Sequence, residues 1–429
     1  MKLLIFAHTP PPHHGQSYMV QLMLEGFGGD QRLRRNRKST SPFGVACYHV
    51  NARVSKELED IGNLQVGKIF LLFGYCLQAI WCRYRYGVTT LYYIPAPGKH
   101  SALYRDWFVM LLCRPFFKKI ILHWHAAGLS KWLETHVHTR TRILTYHWMK
   151  DVNLSIVLSR YNRADAEKLL PKQIRVVNNG VPDPCADFDQ TILPRRRARL
   201  SARKKLNAGE SLTPEEIVAA GGDPNIFKVL YLAHCTAEKG LFDCAKGVIQ
   251  ANQTLTAQKS RLSIQLMIAG NFVNDAEKKE FDRLLATPEG QNIKYLGFVG
   301  GEEKKVALRN SDYFCFPTYY RNENQPVNLI EAMAFGLPIL TTRWRSIPEL
   351  FSTDYSGLVD VRSPEQIARA LLAGITSQTA EAFREIFRRQ FNFEQHLANL
   401  AAAFHSVEAV SVGAGAAEAK PATHPALHP

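Results

Sequence analysis

Residues Arg321–Pro338 read RNENQPVNLIEAMAFGLP, and they set two carboxylates eight positions apart across a change of local structure. Glu323 stands among Asn, Gln and Pro, a composition that marks a loop, whereas Glu331 falls within a helical candidate, Leu329–Phe335. Pro326 suits the first turn of that helix, where its missing N–H leaves nothing unpaired. The free amides after Glu323 would form a helix N-terminus able to hold a phosphate. A carboxylate two turns into the helix can accept hydrogen bonds from ribose hydroxyls. Two glutamates alone would favour solvated acids on an amphipathic helix, so the surroundings decide.

Those surroundings are regular. Strand candidates Tyr313–Phe316 and Pro338–Thr341 flank the segment, and Phe227–Leu232, Ile264–Ala269 and Ile293–Leu296 precede it, alternating with helical candidates Leu241–Gln253 and Asp275–Leu285. The first half keeps the same rhythm, with strands at Leu3–Ala7, Val45–Val50, Thr90–Ile94, Lys119–His123, Leu154–Leu158 and Arg175–Val177, and a helix at Gln16–Gly26. Alternation of this kind predicts parallel sheets wrapped by helices. It occurs twice, so the expected α/β fold is two Rossmann-like domains facing across a cleft, with ligands at the carboxyl ends of the strands. A length of 429 residues agrees with more than one domain. Between the blocks, Pro184–Pro224 contains RRRARLSARKK and AAGGDP and reads as a linker plus an exposed insertion. Beyond about Val410, small residues and prolines predict a disordered tail. The expected divisions are therefore 1–185, a basic linker at 186–225, 226–385, returning helices at 386–410, and a tail at 411–429.

The Arg321–Pro338 segment resembles the E-x7-E signature of retaining glycosyltransferases of the GT-B fold, glycosyltransferase family 4. Other matches follow in that family's order. VLYLAHCTAEKG at Val229–Gly240 is similar to its C-terminal opening strand and phosphate loop, and RVVNNGVP at Arg175–Pro182 to the stretch closing its N-terminal domain. IVLSRYNRADAEKLL at Ile156–Leu170 and SIPELF at Ser346–Phe351 resemble two further motifs, and the resemblance runs from Met1 to about Ala403. It implies that Glu331 binds the ribose of a nucleotide-sugar, that Glu323 contacts the donor sugar, and that Lys239 neutralises the diphosphate. A fixed ammonium there would stabilise the charge that the leaving nucleoside diphosphate gains. Where the family usually has an Arg ahead of this Lys, the chain has His234, either protonated beside the diphosphate or replaced in that task by a nearby Arg. The family's Gly-rich loop corresponds to PPPHHGQSYMV, which keeps one glycine, Gly15, followed by Gln16.

The stretch ILHWHAAGL at Ile121–Leu129 puts His123 and His125 two apart on a strand, on one face. With His136, His138 and His147 downstream a zinc site is conceivable, but known ligand spacings are absent and no metal is expected. The resemblance implies instead a strand-end histidine near the donor sugar, His125 by preference over His123, supporting an oxocarbenium-like transition state. Asp187-Phe188-Asp189 is a D-x-D tripeptide lying in the linker, where chance explains it better than metal binding. No cofactor is expected beyond the nucleotide-sugar substrate.

Charge divides the chain. Residues 1–225 hold 32 Lys/Arg and 17 Asp/Glu, while residues 226–429 hold 21 of each, so the whole excess of +15 sits on the first half. That half is expected to meet something anionic. Two basic runs contribute, Arg32–Lys38 and Arg195–Lys205, and two apolar segments with basic ends, Gly67–Gly87 and Ser101–Lys119, suit a membrane interface as well as a core. The charge points to an anionic or membrane-borne acceptor, a saccharide or a lipid-linked saccharide such as one carried on a lipid diphosphate. The eight cysteines are scattered in mostly apolar runs, which predicts free thiols in a reducing cytosol. The N-terminus reads as a first strand rather than a signal peptide, and no apolar stretch is long enough to span a bilayer. The expected place is thus the cytoplasm, peripheral to the inner face of the membrane. Two other readings compete: a sugar-nucleotide epimerase, which would need no basic half, and a nucleic-acid-binding protein, for which no recognised motif accompanies the arginines.

Overall fold

The computed structural model describes residues 1–11, 14–33, 43–53, 66–376 and 380–409. Arg34, Arg35, Arg37 and Lys38 of the first basic run, and the expected tail at 411–429, lie outside the described residues.

The first domain runs β1 (Lys2–Ala7), α1 (Gly15–Gly26), β2 (Ala46–Asn51), α2 (Val66–Tyr86), β3 (Thr90–Tyr93) and α3 (His100–Cys113). It continues with β4 (Lys119–Trp124), α4 (Leu129–His136), α5 (Thr139–Met149), β5 (Leu154–Val157), α6 (Arg163–Glu167) and β6 (Ile174–Val176). Its strands form one parallel sheet in the order β2-β1-β3-β4-β5-β6. Side-chain alternation makes two cores from one sheet. In β1, Leu4 and Phe6 face the core under α2 and α3, while Leu3, Ile5 and Ala7 face the core under α1.

Two helices, α7 (Leu193–Asn207) and α8 (Pro214–Ala220), join the domains. The second domain then runs β7 (Ile226–Leu232), α9 (Leu241–Ala257), β8 (Ser263–Ala269), α10 (Asp275–Leu285), β9 (Ile293–Gly297) and α11 (Gly301–Asn310). It ends with β10 (Tyr313–Phe316), α12 (Val327–Ala334), β11 (Ile339–Thr342), β12 (Leu358–Val359), α13 (Pro364–Gly374) and α14 (Ala380–Ile386). Its sheet is again parallel, in the order β12-β11-β10-β7-β8-β9. The last helix, α15 (Phe393–Ala409), buries Leu397, Leu400, Phe404 and Val407 against the first domain's sheet, on the side of Leu3 and Ile5.

The stretch expected as an exposed insertion is instead a docked element. α7 lays Arg199 and Arg203 into the second domain, where both bind the buried Asp312, at 2.7 and 2.6 Å. Arg196 caps the carboxyl end of α11 through the Ser311 carbonyl at 2.8 Å, and Arg195 reaches the Gly221 carbonyl at 2.7 Å. Cations suit helix C-termini, where unpaired carbonyls gather. Part of the basic run is thus spent inside the molecule. The D-x-D acids are paired as well: Asp189 with Arg388 at 2.6 Å, and Asp187 accepting from Thr191 at 2.6 Å.

Candidate functional site

In both sheets the chain reverses its direction of travel, between β1 and β3 in the first and between β7 and β10 in the second. Loops leaving adjacent strands toward opposite faces of the sheet open a crevice at such a point. The loops after β7 and β10 carry His234, Lys239 and Glu323, and the loop after β1 leads to Gly15.

Lys239 ends a short turn that Thr236 caps through its side chain, and Gly240 follows at φ +82°. A Cβ at Gly240 would lie 2.3 Å from the Pro317 carbonyl oxygen, so only glycine lets the two loops touch. The closeness brings Lys239 Nζ to 2.6 Å from Glu323 Oε2, which also accepts from Thr318 Oγ1 at 3.2 Å. The ammonium sits over the Tyr320 ring, 4.4 Å from its centroid. His234 lies on the same loop, its pKa held below the usual histidine range by burial and by the Lys239 charge. That shift favours the neutral ring at pH 7, and the negative charge of a diphosphate beside it would act in the opposite direction.

Glu331 lies in α12, whose N-cap is Pro326, one residue earlier than expected. Its carboxylate receives Lys304 of α11 at 2.6 Å, and Lys304 Nζ stands 5.6 Å from the Tyr18 ring of α1. Burial, then Glu331 and Glu25, push the Tyr18 hydroxyl up to about 12. The two domains meet here. A Cβ at Gly15, the first residue of α1, would be 3.7 Å from Val327 Cγ2, the first residue of α12. The first residues of two helices thus lie side by side at the cleft, α1 with its Ser17 N–H capped by the His14 side chain and α12 with no side-chain cap. Gln16 follows Gly15 in the first turn of α1 and is partly exposed.

His125 follows β4, partly exposed, its ring centroid 4.3 Å from that of His123. The shared face is as the strand pattern predicts, but the two rings differ in use. His123 is buried and bonded through Nδ1 to the Tyr92 hydroxyl at 2.6 Å, a core histidine. Burial, with the nearby His396 and His14, pushes His125 down to about 3, so it is a neutral hydrogen-bonding group at pH 7. Among the described residues, no three His, Cys, Asp or Glu are grouped to hold a metal ion.

Sequence reasoning missed the residues that bring His125 to Glu323. Asn324 donates to the Trp124 carbonyl at 3.3 Å and to Asn162 Oδ1 at 2.8 Å, and the Ala127 amide donates to the Asn322 carbonyl at 3.4 Å. Gln325 accepts from the Asn179 amide at 2.6 Å and donates to Asn178 at 3.2 Å. The loop of the second domain is therefore clasped into the first by buried amides. Lys304 also escaped notice, since its pairing with Glu331 spans 27 positions and follows no local period.

Residues 215–390 match the family model described as glycosyl transferases group 1. The amylovoran biosynthesis glycosyltransferase AmsK of Erwinia amylovora is 30% identical over 114 residues, which is 25% of this chain and 28% of that protein. A colanic acid biosynthesis glycosyltransferase of Escherichia coli, WcaL, is 32% identical over 119 residues, 25% of this chain and 29% of the relative. Each alignment thus spans under a third of the relative's length. In overall shape the chain is similar to HepE of Anabaena, solved in complex with UDP, with a TM-score of 0.59 and 14% identity over 95% of this chain and all of that one. The two parallel six-stranded sheets with their helices are those of the GT-B fold, and residues 215–390 are a glycosyl transferases group 1 domain.

Proposed function

We propose that the chain is a retaining, metal-independent glycosyltransferase that moves a sugar from a nucleotide-sugar to a saccharide or lipid-linked saccharide, in the synthesis of a cell-envelope polysaccharide. The observation that carries the reading is the convergence at one crevice of Lys239, Glu323, Glu331 and the N-termini of α1 and α12. The names of the relatives, both concerned with polysaccharide biosynthesis, and the UDP bound to the Anabaena neighbour support it.

In this reading Glu331 takes the ribose hydroxyls and Lys304 turns from it as they bind. The diphosphate occupies the space beside Gly15 and Val327, where backbone N–H groups meet it. Lys239 exchanges part of its pairing with Glu323 for the leaving phosphate, and its positive charge stabilises the negative charge that grows as the glycosidic bond breaks. Glu323, so released, accepts from the donor sugar's hydroxyls. His125, neutral and on the opposite wall, hydrogen-bonds the sugar, and the acceptor hydroxyl enters on the side the nucleotide leaves, a leaving-phosphate oxygen taking its proton. The acceptor comes from an anionic membrane surface on the side of the basic first domain.

The test is a panel of nucleoside diphosphates and nucleotide-sugars, read by melting temperature on the wild type and on Glu331→Ala. Binding to the folded state alone must raise the melting temperature by mass action. A rise with one nucleotide that vanishes in the variant supports the donor site, and no rise with any of them sinks the reading.

A further inference from the structure

Helix α2 is built inside out. Its face toward the sheet buries Leu72, Cys76, Ala79 and Cys82, mostly small side chains. Its outer face carries Phe70, Phe73, Leu77, Trp81 and Tyr84, at helical spacing and all exposed, Phe70 by 73% and Tyr84 by 69%. A helix that only closed a domain would have these stripes exchanged. The apolar face extends sideways. The Tyr84 ring meets that of Phe116, exposed just after α3, at 6.4 Å, and Leu111 of α3 and Ile143 of α5 are exposed on the neighbouring helices of the same layer. Scattered single apolar residues are ordinary, but a continuous row is not.

Charge tells what covers it. α2 and α5 contain no acid, and the single acid of α3, Asp106, is buried beside Arg105 and the Tyr93 hydroxyl. Besides Arg105, which is paired with Asp106, the same three helices carry Lys68, Arg83, Arg85, Arg140 and Arg142. Large aromatic rings with cations beside them, and no exposed carboxylate on these three helices, fit a layer of anionic headgroups over acyl chains. Among the described residues no helix is long and apolar enough to cross a membrane, so α2 would lie in the interface plane. We infer that the outer face of α2, with Phe116 and Leu111 beside it, is the surface on which this protein sits on an anionic lipid bilayer. The inference deepens the acceptor reading above, but it rests on that reading only for what the membrane carries; the surface itself is argued independently of the cleft.

The test is co-sedimentation of the full chain with phosphatidylcholine vesicles, with and without a third of phosphatidylglycerol, at low and high salt. The wild type should pellet with the anionic vesicles and be released by salt. Phe70→Ser/Leu77→Ser/Trp81→Ser should lose most of that binding. Arg85→Gln alone, a gentle change at an exposed site, should weaken it about fivefold, the factor for about 1 kcal/mol per surface cation. The melting temperature and nucleotide response of each variant are read in parallel; if these persist while vesicle binding falls, the loss belongs to this face and not to the donor site. A wild type that stays in solution with anionic vesicles, or pellets equally with neutral ones, overturns the inference. So does a lipid-free dimer that the serine substitutions turn into a monomer, which would make the face a contact between copies.

Discussion

At the residue scale, the carboxylates and lysines of the cleft pair with one another. Lys239 rests on Glu323 and Lys304 on Glu331, each at 2.6 Å, so both carboxylates are compensated until something displaces the lysines. Burying these acids without a partner would be costly, and the pairs hold their carboxylates in place. The arrangement separates two roles that a simple loss of activity would confuse. Lys239→Ala removes the charge meant for the leaving diphosphate, and in the proposed reaction kcat should fall by a factor of about 100 to 1,000, as when one donor to developing charge is lost. The same change strips Glu323 of its ion partner, so ground-state binding of the sugar also suffers. Lys304→Ala instead frees Glu331 without touching the diphosphate, and nucleotide affinity should stay level or rise while kcat holds. Steady-state kinetics with the donor identified by the melting-temperature panel checks both, and equal losses in the two variants would mean the lysines merely hold the fold.

At the scale of elements, the helix that joins the domains is the one most misread from its sequence, and the reason is physical. Seven cations within Arg195–Lys205 look like a solvated run because sequence shows only neighbours along the chain. Their acid, Asp312, lies more than a hundred positions away on the approach to β10 and meets Arg199 and Arg203 only when α7 docks. Burial raises the Asp312 carboxyl's pKa, but Arg203 and Arg199 more than offset this and hold it below its usual value. Asp312→Ala should therefore leave two buried guanidiniums uncompensated and cost about 3–5 kcal/mol of stability, read by urea unfolding. A loss within about 0.5 kcal/mol, typical of a surface change, would show that α7 is only loosely applied. By contrast the strands were legible almost to the residue, because buried parallel strands are short apolar runs bounded by turn residues. Only β12, two residues long, escaped. The loop after β10 was half legible. Its glutamates carry a spacing, whereas Asn324 and Gln325 act through partners on the other domain that no local pattern predicts.

At the scale of the whole molecule, α15 ties the second domain to the first, and three histidines held neutral make the fold sensitive to acid. α15 leaves the second domain and buries four large apolar side chains on the first, each worth about 1.5–3 kcal/mol. It also carries His396, buried, with Nδ1 2.6 Å from the Asn178 carbonyl beside the Gln325 clasp. Burial pushes His396 down to about 4, though that carbonyl works the other way. His8, in the loop after β1, is pushed down to about 4 by burial, Arg105, Arg53 and His49, and His125 to about 3 by burial and its histidine neighbours. In the unfolded chain all three take up protons near the ordinary histidine value of about 6.5. Between that value and their folded values the unfolded state binds more protons, so stability is complete above about pH 6.5 and is lost as pH falls through the window below it. Each histidine contributes a slope of up to about 1.4 kcal/mol per pH unit, and the three act in the same direction. Asp312 adds to the loss only at lower pH, because its folded value is already depressed below the carboxylate range. Melting temperature followed from pH 8 to pH 4.5 should thus fall steeply between about 6.5 and 4.5, before carboxylates titrate. His396→Asn keeps a polar side chain able to donate to the Asn178 carbonyl but cannot titrate. Its curve should start lower, for imperfect packing, and then fall less steeply. An unchanged slope in that variant would mean that acid opens the molecule somewhere other than the seam where α15 ties the second domain to the first.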